Sequence, residues 1–183
     1  SFNEINGGSI EVICAKNNSK IKPKPIVEKI LKEEAGIAKN IFNLFQDRVD
    51  NVKKTLLEFL KNIPPKDIMG YGASTKGKIL LNHLGIINKN LPLICDTNSF
   101  KFNRYTPGTN IKIVSKKDMR KRNPKYLLVL IWSFRSEVIK QELNYIKKGG
   151  KLIFHLPIFH IVDKSNYKRY LRSNFNSMSY SIN

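Results

Sequence analysis

The chain is short of cysteine, of acidic residues and of long apolar runs, and each shortage excludes something. Its two cysteines, Cys14 and Cys95, stand far apart, and neither has a second Cys or a His at metal-ligand spacing. No metal site is expected from them, and a reduced, cytoplasmic protein is a simpler reading than a disulfide-bonded one. No run of ~18 apolar residues is available for a membrane span, and no signal peptide is visible. Acidic residues number only 14 against 33 Lys+Arg, giving a formal net charge of +19. Such an excess suggests anionic partners: nucleic acid, phosphorylated metabolites or acidic membranes. The basic residues are mostly Lys, spread along the chain among abundant Asn and Ile. That reads as compositional bias more than as a nucleic-acid-binding stripe.

What is present is enough for one packed domain: 183 residues, 41% of them hydrophobic. The first residue is Ser1, not Met, and the abrupt start suggests a piece of a longer protein. Ile10 to Ala15 reads as a short buried strand, preceded by a glycine turn at Asn6-Gly7-Gly8, and Asn17 to Pro25 as a polar linker. From residue 26 to 63, Ala38, Phe42, Phe45, Val49, Val52, Leu56 and Phe59 recur at steps of three and four. This spacing predicts one long amphipathic helix, stopped by Pro64-Pro65. Thereafter short apolar runs alternate with helical ones. Strands are expected at 67–71, 91–95, 126–132 and 152–155, and helices at 76–84, 116–122 and 136–148. The pattern predicts an α/β, Rossmann-like open sheet, mostly parallel, with helices on both faces. Residues 164–183 form a polar tail.

Gly70-Tyr71-Gly72-Ala73-Ser74-Thr75-Lys76-Gly77 joins an apolar strand to an apolar-periodic helix. Backbone N–H groups at such a turn, with the helix N-terminus behind them, make an anion site. The dinucleotide fingerprint fails because Thr75 stands where the third glycine belongs. The P-loop pattern fails at Ile79, where a magnesium-holding hydroxyl is needed. The alternative is that the glycines only permit a tight turn. Ser74, Thr75 and Lys76 weigh against it, being three anion-competent side chains that a turn does not require.

In open α/β sheets, ligands sit beyond the carboxyl ends of the strands. Three segments meet that condition: Gly72–Gly77, the stretch from Asp96 to Gly108 with Asn98 inside it, and Trp132-Ser133-Phe134-Arg135. Arg104-Tyr105-Thr106-Pro107-Gly108 supplies a cation and an aromatic at a turn. Trp132 suits stacking on a base or, equally, a place at the rim of the core. Asp96 suits ribose hydroxyls or, equally, the cap of a turn.

Together these segments resemble one family. The loop Gly70–Gly77 with Leu80-Leu81-Asn82, the stretch Tyr105-Thr106-Pro107-Gly108-Thr109, and Tyr126–Phe134 look like three of its motifs. Asn6-Gly7-Gly8-Ser9 looks like the H-G-G-S segment that precedes them. The family is the S-adenosylmethionine-dependent sugar C-methyltransferases, which act on nucleotide-linked deoxysugars. The resemblance implies a chain cut from a three-part protein: a zinc-binding domain, a methyl-donor-binding Rossmann domain, and a C-terminal domain that helps to hold the nucleotide-sugar. Residues 1–25 would be a strand and linker left from the donor domain, 26–63 the long helix, and 64–163 the nucleotide-sugar-binding domain. The family's catalytic residues precede the H-G-G-S segment, so none is assigned here, and no metal is expected. The sequence departs from the pattern at Asn6, at Asp96-Thr97-Asn98-Ser99 and at Ser133. These departures leave the nucleotide, the sugar and the acceptor atom, carbon or oxygen, open.

The resulting expectation is a substrate-binding domain, inactive alone, whose partners are a nucleotide-diphosphate sugar and a preceding donor-binding domain. S-adenosylmethionine would be bound mainly by that preceding domain. The loop amides from Tyr71 to Gly77 would cradle the pyrophosphate, Lys76 and Arg104 would neutralise it, and Trp132 or Tyr105 would face the base or sugar. A self-sufficient methyltransferase binding S-adenosylmethionine at Gly70–Gly77, with Asp96 on the ribose, is the first alternative. A basic nucleic-acid-binding module is the second.

Overall fold

A computed structural model describes residues 2–3, 9–36 and 41–172. The chain divides into two compact units, Ser1–Asn51 and Val52–Asn183.

In the first unit, β1 (Phe2–Asn3) pairs antiparallel with β2 (Ser9–Ile10). The buried strand expected over Ile10–Ala15 is not formed. Residues 11–16 have no regular structure, and Val12 and Ile13 are 74% and 88% exposed. An apolar run becomes a buried strand only where a sheet pairs and covers it, and here the partner is two residues long. The single helix expected over 26–63 is instead two, α1 (Pro25–Ala35) and α2 (Ile41–Lys61). Gly36 ends α1, its amide donating to the carbonyls of Lys32 and Glu33. Glycine is among the weakest helix formers, so the apolar periodicity does not carry through it. Ala38, the side chain of Phe42 and the turn Asn6-Gly7-Gly8 lie outside the described residues.

The second unit is the predicted α/β sheet. Six strands, β3 (Ile68–Tyr71), β4 (Leu93–Asp96), β5 (Lys112–Ser115), β6 (Tyr126–Val129), β7 (Lys151–Phe154) and β8 (His160–Val162), lie in the order β5-β4-β3-β6-β7-β8. All pairings are parallel except β7 with β8. Helices α3 (Thr75–Leu84), α4 (Lys116–Arg122), α5 (Arg135–Gln141), α6 (Leu143–Lys147) and α7 (Tyr167–Arg172) complete the unit.

Alternate residues of each strand feed one of two cores. Met69, Leu127, Val129, Leu152 and Phe154 pack with Met119, Val138 and Ile146. Ile68, Leu128, Leu130 and Ile153 pack with Leu81 and Leu84 of α3 and with Leu56 and Leu60 of α2. Burial on both faces explains why β6 reads as an unbroken apolar run.

Five elements of this unit differ from the sequence expectation. β5 and β8 were not foreseen, because Lys112 and His160 interrupt their short apolar patterns. The helix expected over 136–148 divides at Glu142, a fully buried carboxylate. The strand expected to reach 132 stops at Val129, and Trp132–Phe134 form a 3-10 turn. The polar tail begins with a helix, α7, whose Tyr167, Tyr170 and Leu171 pack on the core; residues 173–183 lie outside the description.

Candidate functional site

The chain runs β3, β4, β5 toward one edge of the sheet and then returns to place β6 on the other side of β3. The crevice beyond the carboxyl ends of β3 and β6 is therefore the switch point, where ligands bind in sheets of this kind. The glycine loop occupies it.

Gly72 has φ 86°, a conformation that favours glycine. A Cβ added there would stand 2.7 Å from Ile131, and one on Gly77 2.7 Å from Leu130. These glycines therefore let the β3–α3 turn close against the loop after β6. Ser74 caps α3: its Oγ accepts from the Gly77 amide at 3.0 Å and its hydroxyl donates to the Leu130 carbonyl at 3.2 Å.

The expected amide cradle is largely consumed by the protein itself. The Gly72 amide donates to the Cys95 carbonyl (2.8 Å), that of Ala73 to Asp96 Oδ2 (2.8 Å), and that of Ser74 to the Gly72 carbonyl (2.9 Å). The Thr75 amide, at the exposed first turn of α3, is not among these donors.

Beside the loop lies a small cleft of about 120 Å³. Ala73, Ser74, Thr75 and Lys78 form one wall and Thr106 and Pro107 the other, over a floor that includes Leu81 and Ile94. The second wall is braced. Thr106 Oγ1 and Thr109 Oγ1 are 2.6 Å apart and buried, and Thr106 Oγ1 accepts from the Ile111 amide at 3.0 Å. Asn82 of α3 donates to the Lys78 carbonyl (2.9 Å) and the Pro107 carbonyl (3.3 Å), tying the walls together. Gly108, at φ 82°, allows this approach, since a Cβ there would collide with Asn82 Oδ1.

Asp96 is not a free acceptor. Oδ2 takes the Ala73 amide and Lys101 Nζ (3.3 Å), and Oδ1 takes the Asn98 amide at 2.8 Å. Burial alone would raise this carboxyl. The hydrogen bonds from Asn98 and Ala73 and the Lys101 ammonium outweigh it and hold the group below the usual carboxylate range. Lys101 Nζ also donates to the Ala73 carbonyl at 3.0 Å. Asn98 is exposed and caps the 3-10 turn Ser99–Lys101, its Oδ1 accepting from the Phe100 amide at 3.0 Å.

Of the residues predicted for the site, Ala73, Ser74, Thr75, Thr106 and Pro107 meet at the cleft, and Lys76 is exposed on the first turn of α3. Others serve elsewhere. Tyr71 alternates to the opposite face, where its hydroxyl donates to the buried Glu142 at 2.8 Å; burial and that carboxylate push the phenol well above its ordinary value. Glu142 also pairs with Lys116 and Arg120. Trp132 is half-buried, its ring edge-on to that of His155 at 4.8 Å, and Ser133 shares its turn. Arg104 and Tyr105 are exposed, and their backbone pairs with β5: the Ile113 amide donates to the Arg104 carbonyl (2.8 Å), and Tyr105 bridges Lys112. Sequence reasoning missed Lys78 and Lys101. Lys78 was findable, lying one turn after Ser74 on the same helix face; Lys101 comes from a loop and had no periodic signal. Among the described residues no His, Cys, Asp or Glu cluster is suited to a metal, and no helix is long and apolar enough to cross a membrane.

A family model described as the C-methyltransferase C-terminal domain matches residues 4–157. The chain is also similar to the C-methyltransferase NovU of Streptomyces niveus, 31% identical over 159 residues. That match covers 84% of this chain but 38% of the relative.

Proposed function

The chain belongs to the C-methyltransferase C-terminal domain family, and from that premise we propose that it holds a nucleotide-diphosphate sugar for methylation while a separate donor-binding domain supplies S-adenosylmethionine. The carrying observation is the cleft between Ser74, Thr75 and Lys78 and the braced Thr106–Pro107 turn. Its volume, about 120 Å³, is below the ~300–1,000 Å³ of a pocket that swallows a whole small molecule. It suits one part of an extended ligand. The diphosphate is the part its chemistry favours: the N-terminus of α3, the Thr75 amide and hydroxyl, and the ammonium of Lys78 all attract negative charge.

The loop is a poor fit for S-adenosylmethionine. A ribose diol held by one carboxylate needs two acceptor positions, and three of the four on Asp96 are already taken. The methyl donor also carries a sulfonium cation, which Lys78 and Lys101 would repel. The self-sufficient enzyme is thereby disfavoured, and no catalytic base is assigned to this chain. Methyl transfer by the chain alone is not expected.

Calorimetry with thymidine or uridine diphosphate, S-adenosylmethionine and a random oligonucleotide tests the reading. The diphosphate is expected to bind, the methyl donor not to, and the oligonucleotide to bind only at low salt and without sequence preference. Replacing Lys78 with Ala removes a charge-assisted contact worth about 1.5–3 kcal/mol, roughly tenfold to a hundredfold in affinity. Preference for S-adenosylmethionine over the diphosphate would overturn the proposal.

A further inference from the structure

Lysines that are scattered along the sequence are gathered by the fold. Parallel strands all start on one side of their sheet, and the helices that lead into them end on that side. Lys66 lies in the turn before β3, Lys125 directly before β6, and Lys151 opens β7; these are three neighbours in the sheet. Tyr126 is the register partner of Lys151, whose amide donates to the Lys125 carbonyl at 3.0 Å. The ammonium groups of Lys125 and Lys151 stand 5.4 and 5.9 Å from the centre of the Tyr126 ring. α4 leads into β6 and ends on Lys121 and Arg122; α6 leads into β7 and ends on Lys147 and Lys148. β8 returns antiparallel to β7 and brings Lys164 to the same side. Against these eight cations stand two acids, Asp67 and Asp163, the second drawn down slightly by Lys151. Among the described residues none of the eight forms an ion pair.

Compositional bias explains the number of lysines but not this placement. A helix C-terminus attracts cations, which accounts for those that end α4 and α6. No helix end asks for Lys66, Lys125 and Lys151 at the strand starts. Together they give this side a positive potential that a broad anionic surface complements. Nucleic acid suits it less well. Seven of the eight cations are Lys, hydrated point charges, whereas phosphate in nucleic acid is gripped bidentately by Arg. Tyr126 offers no stacking platform for a base, because its ring already meets Phe59 edge-on at 5.6 Å and the two ammonium groups. Strand starts and helix ends also differ from the helix flank or two-stranded ribbon that a major groove admits. We propose that this side of the sheet adsorbs to an acidic lipid bilayer, its lysines meeting the anionic headgroups. The glycine loop and its cleft follow the opposite, carboxyl ends of the strands, so adsorption leaves them open. The proposal does not depend on what the cleft holds.

Co-sedimentation of the 183-residue chain with vesicles at physiological salt is the test. Vesicles of equal parts phosphatidylcholine and phosphatidylglycerol should bind it roughly tenfold or more tighter than phosphatidylcholine alone. The triple variant Lys125→Gln with Lys148→Gln and Lys164→Gln removes three exposed charges from this side, and should weaken that binding roughly tenfold or more. A control triple variant, Lys54→Gln with Lys117→Gln and Lys140→Gln, removes three exposed charges elsewhere on the same unit and should change it by under about threefold, since salt screens charges away from the contact. Both variants change only exposed side chains, and circular dichroism should show both folded. Equal losses in the two variants would mean that net charge acts in bulk and would overturn the proposal. Equal binding to the two kinds of vesicle, or none to either, would overturn it as well. A random oligonucleotide is the third ligand. If it displaces the chain from the vesicles at this salt, and binds the first variant as weakly as the vesicles do, the surface is one for nucleic acid and the proposal fails.

Discussion

The two units distribute charge and apolar surface in opposite ways. Residues 1–51 carry 8 Lys+Arg and 7 Asp+Glu, a net +1, whereas residues 52–183 carry 25 and 7, a net +18. Every buried apolar side chain described lies at or after Leu56, and most of the exposed ones precede Val52. The cationic character that looked like a property of the whole chain therefore belongs to the sheet unit, which also holds the candidate phosphate cleft. The first unit is nearly neutral and carries ten of the sixteen large apolar side chains exposed among the described residues. One unit has a core of its own and nearly all of the net positive charge; the other, among its described residues, has no buried apolar side chain.

The sharpest way to break this comparison is to truncate equivalent leucines. Leu128 is fully buried between β3 and β7, and Leu128→Ala should cost about 2–5 kcal/mol. Leu31, 59% exposed, should cost under about 0.5 kcal/mol when changed to Ala. Denaturant melts of the two variants measure both. Equal losses would mean that the first unit has a core of its own.

Acid should also separate the units. His155 is fully buried with neither ring nitrogen hydrogen-bonded, and burial, with His160 nearby, lowers it to about 3. His160 is lowered to about 4, chiefly by burial, with Arg135 adding to the shift and a hydrogen bond to Ile158 opposing it. Both are depressed below the unfolded value of 6.5, so the unfolded chain binds the extra protons. Stability is then complete above pH 6.5 and falls as pH drops toward 4, by up to about 1.4 kcal/mol per pH unit for each histidine. His155→Phe should roughly halve that slope. No histidine lies in residues 1–51, so hydrogen exchange there should not follow the same titration.

Two glycines give the smallest and most diagnostic contrast. Gly72→Ala forces a side chain into a left-handed backbone and against Ile131; about 1–3 kcal/mol should be lost. Gly36 has an ordinary backbone and space for a Cβ, the nearest atom being 3.5 Å away. Gly36→Ala should strengthen the end of α1 by roughly 0.5–1 kcal/mol. Circular dichroism melts give the opposite signs directly.

How much was legible follows from which signals are local. β3, β4, β6 and β7 announced themselves because double-sided burial demands apolar runs. The 3-10 turn at Trp132 and the break at Glu142 were hidden, because each depends on a partner distant in sequence: His155 for the first, Tyr71, Lys116 and Arg120 for the second. In the candidate site, Ser74 and Thr75 were readable from the strand-turn-helix pattern. Asp96 was readable only as two equal alternatives, and the fold selects the turn cap, its carboxylate taking the amides of Asn98 and Ala73 and the ammonium of Lys101; the role of Tyr71 was not readable, because only the fold brings Glu142 to its hydroxyl. Ile10–Ala15 failed for the complementary reason, since periodicity states what a segment could bury and not what covers it.

The pairing of Arg104 and Tyr105 with β5 has a consequence for how the protein behaves in a crowded solution. β5 is the outermost strand on its side of the sheet, and an open edge there would offer unpaired N–H and C=O groups to any strand that passed. The preceding loop folds back on it instead: the Asn103 amide donates to the Ile113 carbonyl and the Ile113 amide to the Arg104 carbonyl. The Asn103–Tyr105 stretch, whose Arg104 and Tyr105 looked from sequence like part of a ligand cradle, is thus a selvedge, a bound hem that keeps neighbouring sheets from being stitched on. Loosening it, by Asn103→Pro for example, should show itself first as aggregation on concentration, before any change in ligand affinity.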